Sequence, residues 1–128
     1  TRSDRVEAEA RGRRAERHAA FWLRLKGYRV LATRARTPAG EIDLIARRGR
    51  ILAFIEVKAR PGREQALYAV SPRQARRIVQ AAAFWRARRP GLQGLQPRFD
   101  VVLLAPGRAP RHVRGAFMID PADAARLL

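Results

Sequence analysis

Two carboxylates and an ammonium, those of Asp43, Glu56 and Lys58, border the most apolar stretch of the chain, within GEIDLIARRGRILAFIEVKAR at 40–60. Carboxylates brought together repel, and keeping both ionised is costly unless a cation lies between them. Their oxygens are hard donors that suit Mg²⁺ or Mn²⁺. An ion held there can bind a phosphate oxygen and lower the pKa of a water that attacks phosphorus. Lys58 could orient that water or neutralise the pentacovalent transition state. An isolated E-x-K triplet in a strand is usually a solvated ion pair. Two features argue for more. Asp43 precedes Glu56 across a predicted hairpin, and Lys58 is one of two lysines among 28 basic residues. Arginine is bulkier and does not readily deprotonate, so a lysine at this slot points to chemistry.

The elements that must position these groups can be read along the chain. Val6 to Lys26 has helical spacing, with Ala15, Ala19, Trp22, Leu23 and Lys26 on one face and Leu25 widening the stripe. Gly27 follows as a left-handed cap. Tyr28–Arg34 reads as a strand, 37–40 as a loop, Glu41–Ala46 as a second strand and 47–50 as a polar turn. Ile51–Lys58 is a third strand, apolar on both faces at first and therefore central. A loop opened by Pro61-Gly62 runs to Val70. Ser71-Pro72 then supplies an N-cap and a first-turn proline for a helix to about Arg89, burying Ala75, Ile78, Val79, Ala82 and Trp85. Arg98–Leu104 reads as a buried strand, Val113–Ile119 as a short edge strand, and Asp120-Pro121 as the cap of a brief terminal helix.

The order α-β-β-β-α-β-β-α places a crossover helix between the third and fourth strands, which should therefore run parallel. The second and third should form an antiparallel hairpin. The expected fold is α/β, a mixed central sheet flanked by helices, in one domain spanning 1–128. If residues 47–50 close the hairpin symmetrically, Ala46 faces Ile51, Asp43 lies opposite Phe54 and Glu41 opposite Glu56. Alternation then puts Asp43, Phe54, Glu56 and Lys58 on one face, with Asp43 and Glu56 as diagonal neighbours. A slip of one residue would separate them, so the constellation depends on the turn.

Charge points to the partner. The 128 residues carry 28 Lys+Arg against 11 Asp+Glu, a net charge of +17. An imbalance this large attracts a polyanion, and nucleic acid is the commonest one in a cell. The basic residues are dispersed, as on a folded surface. Arg73, Arg76 and Arg77 crowd the start of the second helix and are candidates for phosphate contact. The absence of cysteine excludes disulfides, thiolate metal sites and cysteine nucleophiles. His18 and His112 are far apart in the chain, which argues against a histidine-rich metal site, and His112 is expected at the surface. Asp100 in RFDVV is expected to be structural, partnered by Arg98. Phe84 and Trp85 read as core, and no Ser–His–Asp set supports a serine hydrolase. No apolar run approaches a membrane span and no signal peptide is visible, so a cytoplasmic protein with no membrane partner is the expectation.

The arrangement PAGEID…IEVK resembles the PD-(D/E)XK nuclease motif, whose restriction-endonuclease-like αβββαβ core matches the predicted element order. GRRAERHAAFWLRLKGYRVL, GEIDLIARRGRILAFIEVKAR, SPRQARRI and RFDVV, in that order over roughly residues 12 to 105, resemble the YraN-like family of small bacterial proteins. That family is similar to archaeal Holliday-junction resolvases. The resemblance implies that Asp43 and Glu56 are metal ligands, that the Val57 carbonyl is a further one, and that Lys58 is the catalytic lysine. Glu16 matches an acidic position near the metal in related resolvases, although an exposed helix glutamate amid Arg13, Arg14 and Arg17 reads equally well. Gln74 stands where the family often has a Lys-Gln pair and is a candidate nucleic-acid contact, and Arg34 alone remains of an Asn-Trp-Arg run, as a candidate phosphate contact. Related resolvases are dimers, which raises the expectation of a homodimer.

The reading that follows is a Mg²⁺- or Mn²⁺-dependent nuclease acting on nucleic acid, DNA ahead of RNA, with structured or branched DNA as the expected substrate. Its rival is a non-catalytic DNA- or RNA-binding module that has kept the nuclease fold.

Overall fold

A computed structural model describes residues 1–60 and 70–117. The loop expected after Pro61, the terminal helix and the end of the last predicted strand lie outside the described residues; the edge strand expected from Val113 onward instead ends at Val113, where Gly115 opens a turn. Helix α1 (Arg2–Leu25) leads into three strands, β1 (Arg29–Thr37), β2 (Gly40–Arg48) and β3 (Ile51–Ala59). Helix α2 (Pro72–Ala87), a single 3-10 turn at Pro90–Leu92, and strands β4 (Gln96–Leu104) and β5 (Arg111–Val113) follow. The strands form one mixed sheet in the order β1-β2-β3-β4-β5. β3 and β4 are parallel and the other pairs antiparallel, as the crossover helix requires. The architecture is α/β, a five-stranded mixed sheet flanked by two helices, consistent with a restriction-endonuclease-like core.

Local signals set the helix ends. The Ser71 hydroxyl accepts from the Gln74 N–H at 3.1 Å and Pro72 occupies the first turn of α2. At the end of α1, Gly27 takes φ +89° and the Tyr28 N–H reaches back to the Leu23 carbonyl at 3.0 Å. Each helix covers one face of the sheet. Ile78, Val79, Ala82 and Trp85 of α2 pack with Ile42, Ile45, Leu52, Phe54 and Phe99. Phe54 is fully buried, stacked on Phe99 and edge-on to Trp85. On the other face Ala19, Ala20 and Leu23 of α1 pack on Leu44, Ala46, Ala53, Ile55 and Val102. Leu25 does not widen that stripe. It is 70% exposed, as is Phe21 at 60%, because the buried arc of α1 lies on the side of Ala19 and Leu23.

Two expectations need correction. The β2–β3 turn is shorter than four residues: Arg47 and Arg48 are in the ladder, with Arg48 opposite Ile51 and Ile45 opposite Phe54. Gly49, at φ +58°, provides the left-handed conformation that a two-residue turn needs. The register therefore moves by two residues, which keeps the paired side chains of 44–48 and 51–55 on their expected faces but replaces the partners. The second correction is His112, which is not at the surface. Its side chain is 1% exposed, with Nε2 2.7 Å from Asp100 Oδ2 and Nδ1 3.1 Å from Lys26 Nζ.

Asp100, fully buried, holds this network together. Arg98 grips it with two nitrogens, Nε at 2.9 Å and Nη2 at 2.8 Å, and also donates to the Tyr28 hydroxyl. The Gly115 N–H donates to Asp100 at 3.0 Å. Burial alone would raise the Asp100 carboxyl, but the His112, Arg98 and Gly115 donors hold it below its ordinary range. The cluster fastens α1, β4 and β5 to one another. Replacing Asp100 or His112 by Ala should cost about 3–5 kcal/mol at neutral pH, because the partners are left buried and unpaired. A carboxyl whose folded pKa is depressed contributes stability above the unfolded value of 3.8, and that contribution is lost as pH falls through the folded value. Thermal unfolding followed against pH should therefore show the gap between wild type and His112→Ala closing below about pH 4.

Candidate active site

The site forms where the sheet forks. Beyond the Leu44–Ile55 pair, β2 continues beside β1 and β3 beside β4, so the two central strands part. Ile42 and Ile45 lie in the same core cluster, which strict alternation would forbid, so the facing of β2 changes across Asp43. At this point the Asp43 carboxylate takes over from the ladder: its Oδ2 accepts from the Val57 N–H at 2.8 Å. The ladder places Ile45, not Asp43, opposite Phe54, and at its end the Asp43 and Glu56 carboxyls come within hydrogen-bonding reach of each other.

Glu56 is 8% exposed, and its Oε1 takes two partners: Gln74 Nε2 at 3.1 Å and Lys58 Nζ at 3.4 Å. Gln74, expected to contact nucleic acid, instead binds the carboxylate from the first turn of α2. Burial, then the charge of Glu56, pushes the Asp43 carboxyl up to about 7. Burial raises Glu56 as well, against the pull of Lys58 and a hydrogen bond from the Asp43 carboxyl. The pair thus behaves as two acids crowded into a space that favours one negative charge.

Glu16 and Arg34 pair with each other at 2.6 Å, Arg34 Nε donating. Glu16 is therefore an inward-turned residue rather than an exposed one, and its charge adds to the upward push on Asp43. Arg34 adopts φ +49° within β1, a conformation that costs energy for a side chain with a Cβ. It anchors Glu16 rather than standing free for phosphate.

The arginines of α2 line a cleft of about 730 Å³ beside the carboxylates, bounded by Ser71, Arg73, Gln74, Arg76, Arg77 and Gln80 and by Ala39 of the β1–β2 turn. Arg77 crosses that turn. A Cβ on Gly40, whose φ is +141°, would come within 3.1 Å of the Arg77 Cδ, so glycine leaves room for the arginine stem. The charge of Arg77 reaches Glu56 and lowers its pKa. Apart from the glycine itself, no residue pattern signals this contact.

Donor chemistry at the fork fits a hard divalent ion, although it is sparse. Among the described residues no three His, Asp or Glu side chains gather where they could hold a metal. Two carboxylates and a backbone carbonyl would have to suffice. Apart from the hydrogen bond that the two carboxyls share, Asp43 Oδ1 and Glu56 Oε2 accept from no donor among the described residues, and the pair carries more negative potential than its neighbours offset.

The chain belongs to a known family. Residues 15–104 match the model of the uncharacterised protein family UPF0102. The UPF0102 protein of Maricaulis maris is 57% identical over 122 residues, covering 95% of this chain and 94% of its own length. Those of Bradyrhizobium diazoefficiens and Nitrobacter winogradskyi are each 52% identical, over 89% and 88% of this chain and 86% and 96% of their own lengths. The protein is thus a UPF0102 member, the YraN-like family that the motifs indicated.

Asp43→Asn should separate the carboxylate repulsion from folding. The amide oxygen can still accept from the Val57 N–H, and the amide nitrogen can donate to Glu56. A carboxyl whose folded pKa is raised favours folding below the unfolded value and loses that contribution as pH rises through about 7. With chelator present, Asp43→Asn should therefore melt above wild type at about pH 8, by on the order of 2 kcal/mol, and show no such gain near pH 4.

Proposed function

We propose that this protein is a divalent-metal-dependent nuclease of the PD-(D/E)XK type, hydrolysing phosphodiesters in structured or branched DNA. The observation that carries the reading is the fork itself, where Asp43 meets Glu56 and Lys58 beside an arginine-lined cleft. Asp43, Glu56 and the Val57 carbonyl would hold Mg²⁺ or Mn²⁺. A bound ion supplies a polarised phosphate oxygen and a water of lowered pKa.

The remaining roles fall to the chain's own groups. Lys58, held against Glu56, places an ammonium where negative charge develops on phosphorus. Gln74 fixes the rotamer of Glu56 through Oε1, leaving Oε2 for the ion. Arg73, Arg76 and Arg77 engage phosphates flanking the scissile one, and the Glu16–Arg34 pair braces the outer side of the centre. No helix among the described residues is long and apolar enough to cross a membrane. The proposal extends to action in the cytoplasm and to a homodimer, as in similar resolvases.

Labelled branched, duplex and single-stranded substrates incubated with Mg²⁺ or Mn²⁺ test the reading. Wild type should cut at least the branched DNA. Asp43→Asn and Lys58→Ala should each lower the rate by roughly 100-fold or more. Calorimetry with Mn²⁺ separates the two roles. Asp43→Asn should weaken the isotherm, and Lys58→Ala should leave it nearly intact, because the lysine acts on the transition state. Identical isotherms for wild type and Asp43→Asn, with no cleavage, would establish the rival non-catalytic binding module.

Binding should also be steeply salt-dependent. Replacing Arg73, Arg76 and Arg77 by Gln should weaken all sequences alike and reduce the slope of log affinity against log salt by up to about three. An unchanged slope would mean that this face is only solvated.

A further inference from the structure

The outer face of α1 carries an apolar pair that no element among the described residues covers. Phe21 is 60% and Leu25 70% exposed, one helical turn apart, and neither belongs to a core cluster. Cations surround them: Arg17 lies one turn before Phe21, Arg14 two turns before, and Arg24 one turn after, all exposed. Between Arg13 and Lys26 the only carboxylate is Glu16, which is turned inward onto Arg34. The face is therefore an aromatic ring and a leucine set in positive charge, with no outward-facing acid in residues 13–26 to offset it.

Its size and sign narrow the occupant. A stable protein interface needs roughly 800 Å² on each partner, and two side chains supply only a fraction of that. A second copy would set arginine against arginine. A polyanion satisfies the charge, and a flat π-face satisfies Phe21. Both are combined in an unpaired nucleic-acid strand, in which phosphates meet arginines and a base stacks on an aromatic ring. A continuous duplex offers the phosphates but not the base face.

We infer that the outer face of α1 is a binding surface for unpaired nucleic acid, with one base stacked on Phe21 and its flanking phosphates on Arg17 and Arg24. This rests on the nucleic-acid part of the proposed function and not on the carboxylate centre, from which Phe21 is separated by the body of the helix. A substrate with an unpaired segment would then be held on one side of the sheet while the cleft along α2 receives the phosphates on the other.

The test is fluorescence anisotropy with a labelled oligothymidylate and a labelled duplex, in chelator, for wild type, Phe21→Ala and Phe21→Trp. Phe21→Ala should weaken oligothymidylate binding about tenfold, leave duplex binding unchanged, and keep the wild-type far-UV circular dichroism spectrum. Phe21→Trp should restore the affinity. Equal loss on both probes, or loss on neither, overturns the inference while leaving the proposed nuclease reading intact. Failure of wild type to bind either probe would overturn both. Anionic phosphatidylserine vesicles provide a further arm. A Phe21→Ala variant that loses vesicle binding but keeps oligothymidylate affinity would make the face a lipid contact and overturn the inference.

Discussion

The hydrogen bond from the Val57 N–H to the Asp43 carboxylate is the constraint on which the site depends. It lies where β2 and β3 stop pairing, and it supplies the donor with a partner that the ladder no longer provides. A buried N–H without a partner would cost about 1–3 kcal/mol, so a short acceptor at position 43 is needed for the fork to open there. The same bond directs the Asp43 carboxyl toward Glu56. Fold and candidate chemistry thus share one side chain.

The carboxylate pair is held in a state that the surrounding protein does not fully neutralise. Lys58 and Gln74 both approach Glu56 through Oε1, whereas Asp43 receives only the Val57 N–H among the described residues. The rise of Asp43 to about 7 expresses that imbalance. Structural ion pairs normally settle the other way, as Asp100 does: four donor nitrogens from three residues converge on it and depress its carboxyl. Of the two buried carboxylate sites in this small domain, the one rich in donors is a fastening, and the one poor in donors keeps negative charge that its neighbours do not offset.

Positive charge is distributed in keeping with that division. Around Asp100 the cations Arg98 and Lys26 are locked into hydrogen bonds and lie near the rings of Tyr28 and Trp22. Along α2, by contrast, Arg73, Arg76 and Arg77 line the cleft. On α1 the arginines flank an exposed aromatic ring. The net +17 is therefore not one diffuse field: part is consumed in holding elements together, and part is presented on two outer surfaces.

Much of this could be read from the chain alone, and the reason is locality. Helix caps at Ser71 and Gly27, the apolar alternation of 51–55 and the crossover between parallel strands depend on neighbouring residues or on general handedness. The approach of Asp43 to Glu56 and Lys58 survived a wrong turn length because a register shift of two preserves side-chain parity along the paired residues that lead up to them. What the sequence could not determine was which residues from distant elements would meet. Ile45 rather than Asp43 faces Phe54 because Gly49 closes a two-residue turn. Gln74 binds Glu56, and Arg34 takes Glu16, because the helices settle on opposite faces of the sheet. His112 is buried because β5 pairs with β4 and carries it onto Asp100, and Leu25 is exposed because packing selects one arc of α1 over another of similar hydrophobicity. Local propensity decides which elements form, but side-chain partners across elements depend on register and packing, which exist only once the whole sheet is assembled.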